Sequence, residues 1–290
     1  MNLNTRTTHT ANRRERDIEK GVALLTRGRH KEAVQLFKAL LERQPDDVLT
    51  LYNCGIAYYS MGQYALAKEC YLAALTCLPD WIEAYHNLGQ AYEGLNNPPE
   101  AIAVYERALQ LKPDYFHSAY RLGLLYRLAG EDQKAMAAIQ TAVASKPDSA
   151  EALCALGVLY RERNRFEEAL VCLDQALRID PHLAQACYNK GIVLQKSGEF
   201  EKGVGLYRKA AVSDPAFAPA KWLYHLSLPM MYDSQEEIDD HRRRFQRRLK
   251  DLIESTSLET DEQKAYALTG IRTTTNFYLQ YQCRNDLALQ

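Results

Sequence analysis

Six prolines stand 34 residues apart: Pro45, Pro79, Pro113, Pro147, Pro181 and Pro215. Six glycines keep the same interval on a second ruler: Gly21, Gly55, Gly89, Gly123, Gly157 and Gly191. Two rulers of one period make the chain an array of like units. The units are 14–47, 48–81, 82–115, 116–149, 150–183 and 184–217, and six units of 34 cover 204 of the 290 residues. A polar N-terminal tail, 1–13, precedes them, and residues 218–290 follow without the period.

Each recurring residue has a mechanical reason. The glycine at the eighth position falls inside the first helix of its unit, where it costs about 1 kcal/mol against Ala. The twentieth position, Ala33, Ala67, Ala101, Ala135, Ala169 and Gly203, supplies the expected compensation, since small residues on both helices let the backbones approach. The fifteenth position reads Gly28, Gly62, Asn96, Gly130, Asn164 and Gly198. Both residue types tolerate the left-handed conformation that ends a helix. Proline after the second helix cannot continue it. Tyr58, Tyr92, Tyr126 and Tyr160 at the eleventh position, with Phe37, Tyr71, Tyr105 and Tyr207 at the twenty-fourth, fill the seam between helices. Helical spacing accounts for every one of these rings, so they read as core and not as a cofactor site.

Tyr85, Leu88, Gly89, Tyr92, Ala101, Tyr105, Ala108 and Pro113 together resemble the tetratricopeptide repeat pattern, and all six units share it. The first unit is the loosest, with Asp17 and Lys20 at positions usually apolar, as suits a terminal cap. The resemblance implies an all-α fold: a right-handed superhelix, an α-solenoid of six helix-turn-helix repeats, with a C-terminal helical extension. It also implies that first helices line a concave groove, with the second, fifth, sixth, ninth and twelfth positions pointing inward.

At those positions stand Tyr52, His86, Tyr120 and Tyr188 (fifth), Asn53, Asn87, Arg121 and Asn189 (sixth), Gln90 (ninth), and Tyr59, Arg127 and Arg161 (twelfth). A carboxamide carries both a donor and an acceptor, so Asn53, Asn87 and Asn189 are suited to pair with the main chain of an extended polypeptide of any sequence. Each bond contributes only about 0.5–1.5 kcal/mol, so several are needed. The tyrosines would add amphipathic contact area. The competing reading is that the three Asn tie adjacent repeats together or face water. A clamp for the C-terminal carboxylate of chaperone tails is disfavoured: of its five family positions only Asn87 and Arg121 fit, whereas Tyr52, Ile56 and His117 do not.

Composition narrows the function classes. Lys plus Arg is 36 against 37 Asp plus Glu, a net charge of −1, which excludes a strongly basic nucleic-acid binder. No apolar run approaches the ~18 residues of a membrane span, and MNLNTRTTHTANRR lacks a signal-peptide core. Seven cysteines without a C-x-x-C pair read as reduced thiols in a cytoplasmic protein. Cys54, Cys154 and Cys187 on first helices read as buried small hydrophobes. No phosphate loop or H-E-x-x-H motif occurs. Gly203 and Gly205 fall within a helix; two glycines in one turn suggest a looser sixth unit. His86 and His117 occupy neighbouring repeats without an evident third metal ligand. No catalytic residue, metal or cofactor is therefore expected, and the partners are other proteins, held as extended segments. The convex side is open to homo-oligomer contacts, although no single residue demonstrates them.

After the repeats, residues 218–228 read as a helix that caps the stack, with Trp222 available to pack and Pro229 as its stop. Ser234 with Glu237 makes a capping box for a helix to about Glu254, on which Ile238, Phe245, Leu249 and Leu252 form an apolar stripe. Its basic run, Arg242 to Lys250, follows Glu236, Glu237, Asp239 and Asp240, an order that suits a solvated helix and its dipole. Thr260 and Gln263 make a second capping box. The segment LPMMYDSQEEI at 228–238 with Arg242 to Phe245, and TNFYLQYQ at 275–282 followed by Asn285 and Asp286, resembles the linker of SPINDLY-like protein O-GlcNAc transferases. In that family repeats select protein acceptors, and a two-lobed catalytic half transfers a sugar from a nucleotide donor to Ser or Thr. That half would begin where the chain stops at Gln290, so the resemblance implies a non-catalytic, acceptor-recruiting arm. The alternative is a stand-alone adaptor for multiprotein assembly.

Overall fold

The computed structural model describes residues 4–229 and 234–271. The chain divides into two compact units, Met1–Lys146 and Pro147–Gln290. Among the described residues every regular element is an α-helix. None is long and apolar enough to cross a membrane.

The first unit holds four antiparallel hairpins: α1 (Asn4–Thr26) with α2 (His30–Leu41), α3 (Val48–Ser60) with α4 (Tyr64–Cys77), α5 (Ile82–Gly94) with α6 (Pro98–Leu111), and α7 (Phe116–Leu128) with α8 (Asp132–Ser145). Successive hairpins stack, α2 on α3, α4 on α5 and α6 on α7. The second unit holds α9 (Ala150–Glu162) with α10 (Phe166–Ile179) and α11 (Ala184–Lys196) with α12 (Phe200–Ser213). Then come α13 (Ala218–Leu226), α14 (Gln235–Glu254) and α15 (Asp261–Ile271). Helix α1 starts at Asn4, so it runs through most of the segment read as a polar tail.

Every hairpin turns by the same device. The fifteenth-position residue has positive φ in all six, from 54° at Asn96 and 57° at Asn164 to 88° at Gly198. This conformation lets the next amide reach back five residues: Arg29, Gln63, Asn97, Glu131, Arg165 and Glu199 donate to the carbonyls of Leu24, Tyr58, Tyr92, Tyr126, Tyr160 and Leu194. That satisfies a carbonyl which the helix end would otherwise leave unpaired.

The expected compensation for the eighth-position glycine is only partly correct. A Cβ on Gly55, Gly89 or Gly191 would meet the ring of Tyr71, Tyr105 or Tyr207 at 2.5–2.6 Å, and one on Gly21 would meet Phe37 at 2.3 Å. The residue sixteen positions on therefore lies flat over the glycine of its own unit. The small twentieth position contributes as well: Ala33, Ala67, Ala101, Ala135 and Ala169 are fully buried, and a Cβ on Gly203 would sit 2.8 Å from the Gly191 carbonyl. In the sixth repeat the two helices therefore approach closely at Gly203, while Gly205 faces open space.

Cys54, Cys154 and Cys187 are buried. Burial pushes the Cys154 thiol up to about 12, which keeps it protonated. In the C-terminal extension, Phe245 and Leu252 are buried against Leu226 and Leu228, with Trp222 and Leu249 packed around them. Ser234 caps α14 by accepting from the Glu237 amide at 3.1 Å. Thr260 and Gln263 exchange both bonds of a capping box, at 3.0 and 3.2 Å. Of the neck segments, 230–233 and 275–286 lie outside the described residues.

Candidate functional site

In the first unit the sixth-position residues Asn53, Asn87 and Arg121 fall on α3, α5 and α7, one to each repeat. Asn87 donates its amide to the Tyr52 hydroxyl at 2.9 Å, which ties α5 to α3. Asn53 donates to the Leu49 carbonyl of its own helix at 2.8 Å. In the second unit Asn189 donates to the Gln185 carbonyl at 2.7 Å and is only 7% exposed. One donor of each carboxamide is thus already spent inside the chain, and Asn189 offers little to solvent. Asn53 and Asn87 are half-buried and keep a surface.

The tyrosines are engaged by a rule that operates between repeats. Each fifth-position ring meets the residue just before the next first helix: Tyr52 lies 4.3 Å from Trp81, His86 5.8 Å from Tyr115, and Tyr188 5.1 Å from Phe217, centroid to centroid. Trp81, Tyr115 and Phe217 share one register of the 34-residue ruler, so the sequence carries this pattern, although it becomes a contact only once the repeats stack. Tyr120 has no aromatic at the matching position, Ser149, and stacks on Phe116 at 6.0 Å instead. Tyr59 meets Tyr64 edge-on at 5.3 Å. Burial, with the Glu83 carboxylate nearby, raises the Tyr52 phenol to about 12.

Arg121 is not an open cation. Its guanidinium pairs with both carboxylate oxygens of Glu93, at 2.9 and 2.6 Å. The Tyr105 hydroxyl donates to the same Glu93 at 2.6 Å. Such a bidentate pair fixes geometry as well as charge. Glu93 also shows why the chaperone clamp fails: the one basic residue that fitted that pattern already holds a carboxylate of its own chain. The equivalent hydroxyl in the second unit, on Tyr207, donates to Gln195 at 2.8 Å. A tyrosine over the eighth-position glycine therefore reaches the twelfth position of the same first helix. Arg127, Arg161 and Gln90 are half-buried, and Arg161 lies 3.4 Å from Glu162.

His86 and His117 do approach, with ring centroids 5.6 Å apart. His86 is 9% exposed, and its Nδ1 lies 3.3 Å from the Ser118 hydroxyl. Burial, then the charges of His117 and Arg121, lowers its pKa to about 4, so it is neutral at pH 7. Among the described residues no group of three or more His, Cys, Asp or Glu could hold a metal. The arrangement has the means to bind by hydrogen bonds and ring contact.

Comparison with known proteins agrees with the repeat architecture. Tetratricopeptide repeat models match residues 47–114, 18–48 with 86–150, and 150–183. No curated protein matches. Among solved structures, MamA is 28% identical over 57% of this chain and 96% of its own, with a TM-score of 0.53. YrrB, described as a TPR protein with an unusual peptide-binding site, is 24% identical over 62% of this chain and 92% of its own, at 0.53. PilF of Pseudomonas aeruginosa is 16% identical over 70% of this chain and 92% of its own, at 0.63. The 34-residue register, the six left-handed turns and these matches agree: the chain belongs to the tetratricopeptide repeat proteins, whose stacked helical hairpins mediate protein–protein interaction.

Proposed function

We propose that this chain is a non-catalytic scaffold that binds an extended polypeptide along the first-helix face of its repeats. The observation that carries the proposal is the half-exposed pair Asn53 and Asn87, one repeat apart on α3 and α5 and tied into register through Tyr52. Each carboxamide has one donor committed and retains a further hydrogen and acceptor capacity. Tyr52, Tyr59, Tyr120, Gln90 and Arg127 supply the surrounding surface, with Arg121 held by Glu93 as a fixed polar wall and His86 buried beneath it. In the second unit, Tyr188 and Arg161 take the same part, while Asn189 is better suited to structure than to contact.

The test uses peptides selected from a random display library against the full chain. Asn53→Ala with Asn87→Ala should weaken a selected peptide about tenfold in fluorescence polarisation, the loss of about two net hydrogen bonds. N-methylation of the peptide's main chain should weaken it similarly, whatever its side chains. Unchanged affinity in both experiments would contradict the proposal.

The narrower reading, the acceptor-recruiting arm of a protein O-glycosyltransferase, is favoured by residues 228–245 and 275–286 alone. Coding sequence that continues past Gln290 into two nucleotide-binding lobes would support it; an immediate stop would favour the adaptor. Reduced thiols throughout the repeats support a cytoplasmic setting for either.

A further inference from the structure

Arg161 of α9 stands in a frame that elsewhere supplies its cation with a carboxylate. In the first unit the twelfth position of one repeat meets the sixth of the next: Glu93 takes both ends of the Arg121 guanidinium, and the Tyr105 hydroxyl donates to the same carboxylate. The second unit keeps the register and changes the chemistry. Arg161 holds the twelfth position, and the sixth of the next repeat is Asn189, a neutral amide that donates to the Gln185 carbonyl of its own helix. The residue over the eighth-position glycine is Leu173, which a Cβ on Gly157 would meet at 2.8 Å, so that place offers no hydroxyl.

The carboxylate Arg161 does pair with belongs to Glu162, its neighbour in sequence, through one nitrogen at 3.4 Å. A guanidinium carries five N–H donors in a fixed fork, so most of them remain. The Arg161 side chain is only 19% exposed, and shielding from water strengthens any ion pair made there. Its charge is felt on α11 and α12. Burial raises the Tyr188 and Tyr207 phenols, and Arg161 opposes that rise in both.

We infer that Arg161 is an anion subsite of the first-helix face, and that it takes the carboxylate of an Asp or Glu side chain in the bound polypeptide, as Glu93 serves Arg121. The inference rests on the peptide-binding reading given above and adds the partner's chemistry to it: an acidic segment. The fork of a guanidinium matches a planar carboxylate in a bidentate pair. One guanidinium balances one negative charge, which suits a carboxylate better than the near-dianion of a phosphorylated side chain.

The experiment selects peptides from a random display library on the full chain. Selected peptides should carry Asp or Glu at one fixed position. Replacing that residue by Gln or Asn should weaken binding about tenfold in fluorescence polarisation to the parent, and less than twofold to Arg161→Gln. Arg161→Glu should prefer a peptide with Lys at that position, a gain that a misfolded variant could not show. Equal discrimination between the acidic and amide peptides by the parent and by Arg161→Gln would overturn the inference. So would tighter binding of a phosphoserine peptide than of its Glu counterpart. Main-chain N-methylation separates the two readings. Peptides that N-methylation weakens but that show no acidic preference would remove the Arg161 subsite and leave the peptide-binding face in place, whereas failure to select any peptide would remove both.

Discussion

Glycine stands in three different settings in this chain, and two of them predict opposite responses to one substitution. At Gly89 an added Cβ would sit 2.5 Å from the ring of Tyr105, which is fully buried and anchored through its hydroxyl to Glu93. The ring cannot swing away without breaking that bond. Gly89→Ala should therefore destabilise by about 1–3 kcal/mol, despite the better helix propensity of Ala. At Gly205, inside α12, nothing lies within 4 Å of an added Cβ. Gly205→Ala should stabilise by about 0.5–1 kcal/mol. Urea unfolding midpoints of the two variants check both signs. The third setting, positive φ at the hairpin turn, was legible from residue type alone, because Gly and Asn tolerate it cheaply. The first was not: the sequence shows that Gly recurs at the eighth position, but not that the side chain sixteen residues on lies over it.

At the scale of the element, most of what was legible is local. Capping boxes at Ser234 and Thr260 span three residues, and the observed bonds follow the pattern. What escaped the sequence crosses between helices. Glu93 and Arg121 are 28 residues apart, and Asn87 and Tyr52 are 35 apart. Nothing in either helix alone announces its partner. The same crossing predicts a pH response. His86 of α5 is buried beside Tyr105, Tyr115, His117 and Ser118, with Arg121 nearby, and its pKa is lowered from 6.5 to about 4. The unfolded chain therefore binds the proton more readily than the folded one. Stability from this residue is complete above pH 6.5 and is lost as the pH falls toward 4, by up to ~3 kcal/mol. Unfolding free energies measured across that window should show a descending acid limb, which His86→Gln should flatten.

For the whole molecule, the repeat period fixes the fold class, and the fold class limits the chemistry. Stacked hairpins, with a large side chain over the eighth-position glycine and the bidentate Arg121–Glu93 pair joining two first helices, make a surface suited to contact with another chain. Which residues remain open for contact was the least legible part, since the sequence cannot show that Arg121 is already paired or that Asn189 is buried. Within the first unit the open positions belong to α3, α5 and α7. The direct test is photo-crosslinking: a display-selected peptide with a benzophenone walked along its length, reacted with the full chain and mapped by mass spectrometry. Crosslinks should fall on the first helices, advancing from α3 to α5 to α7 as the photophore moves along an extended peptide. Crosslinks confined to α4, α6 and α8, or to one spot regardless of photophore position, would contradict the account.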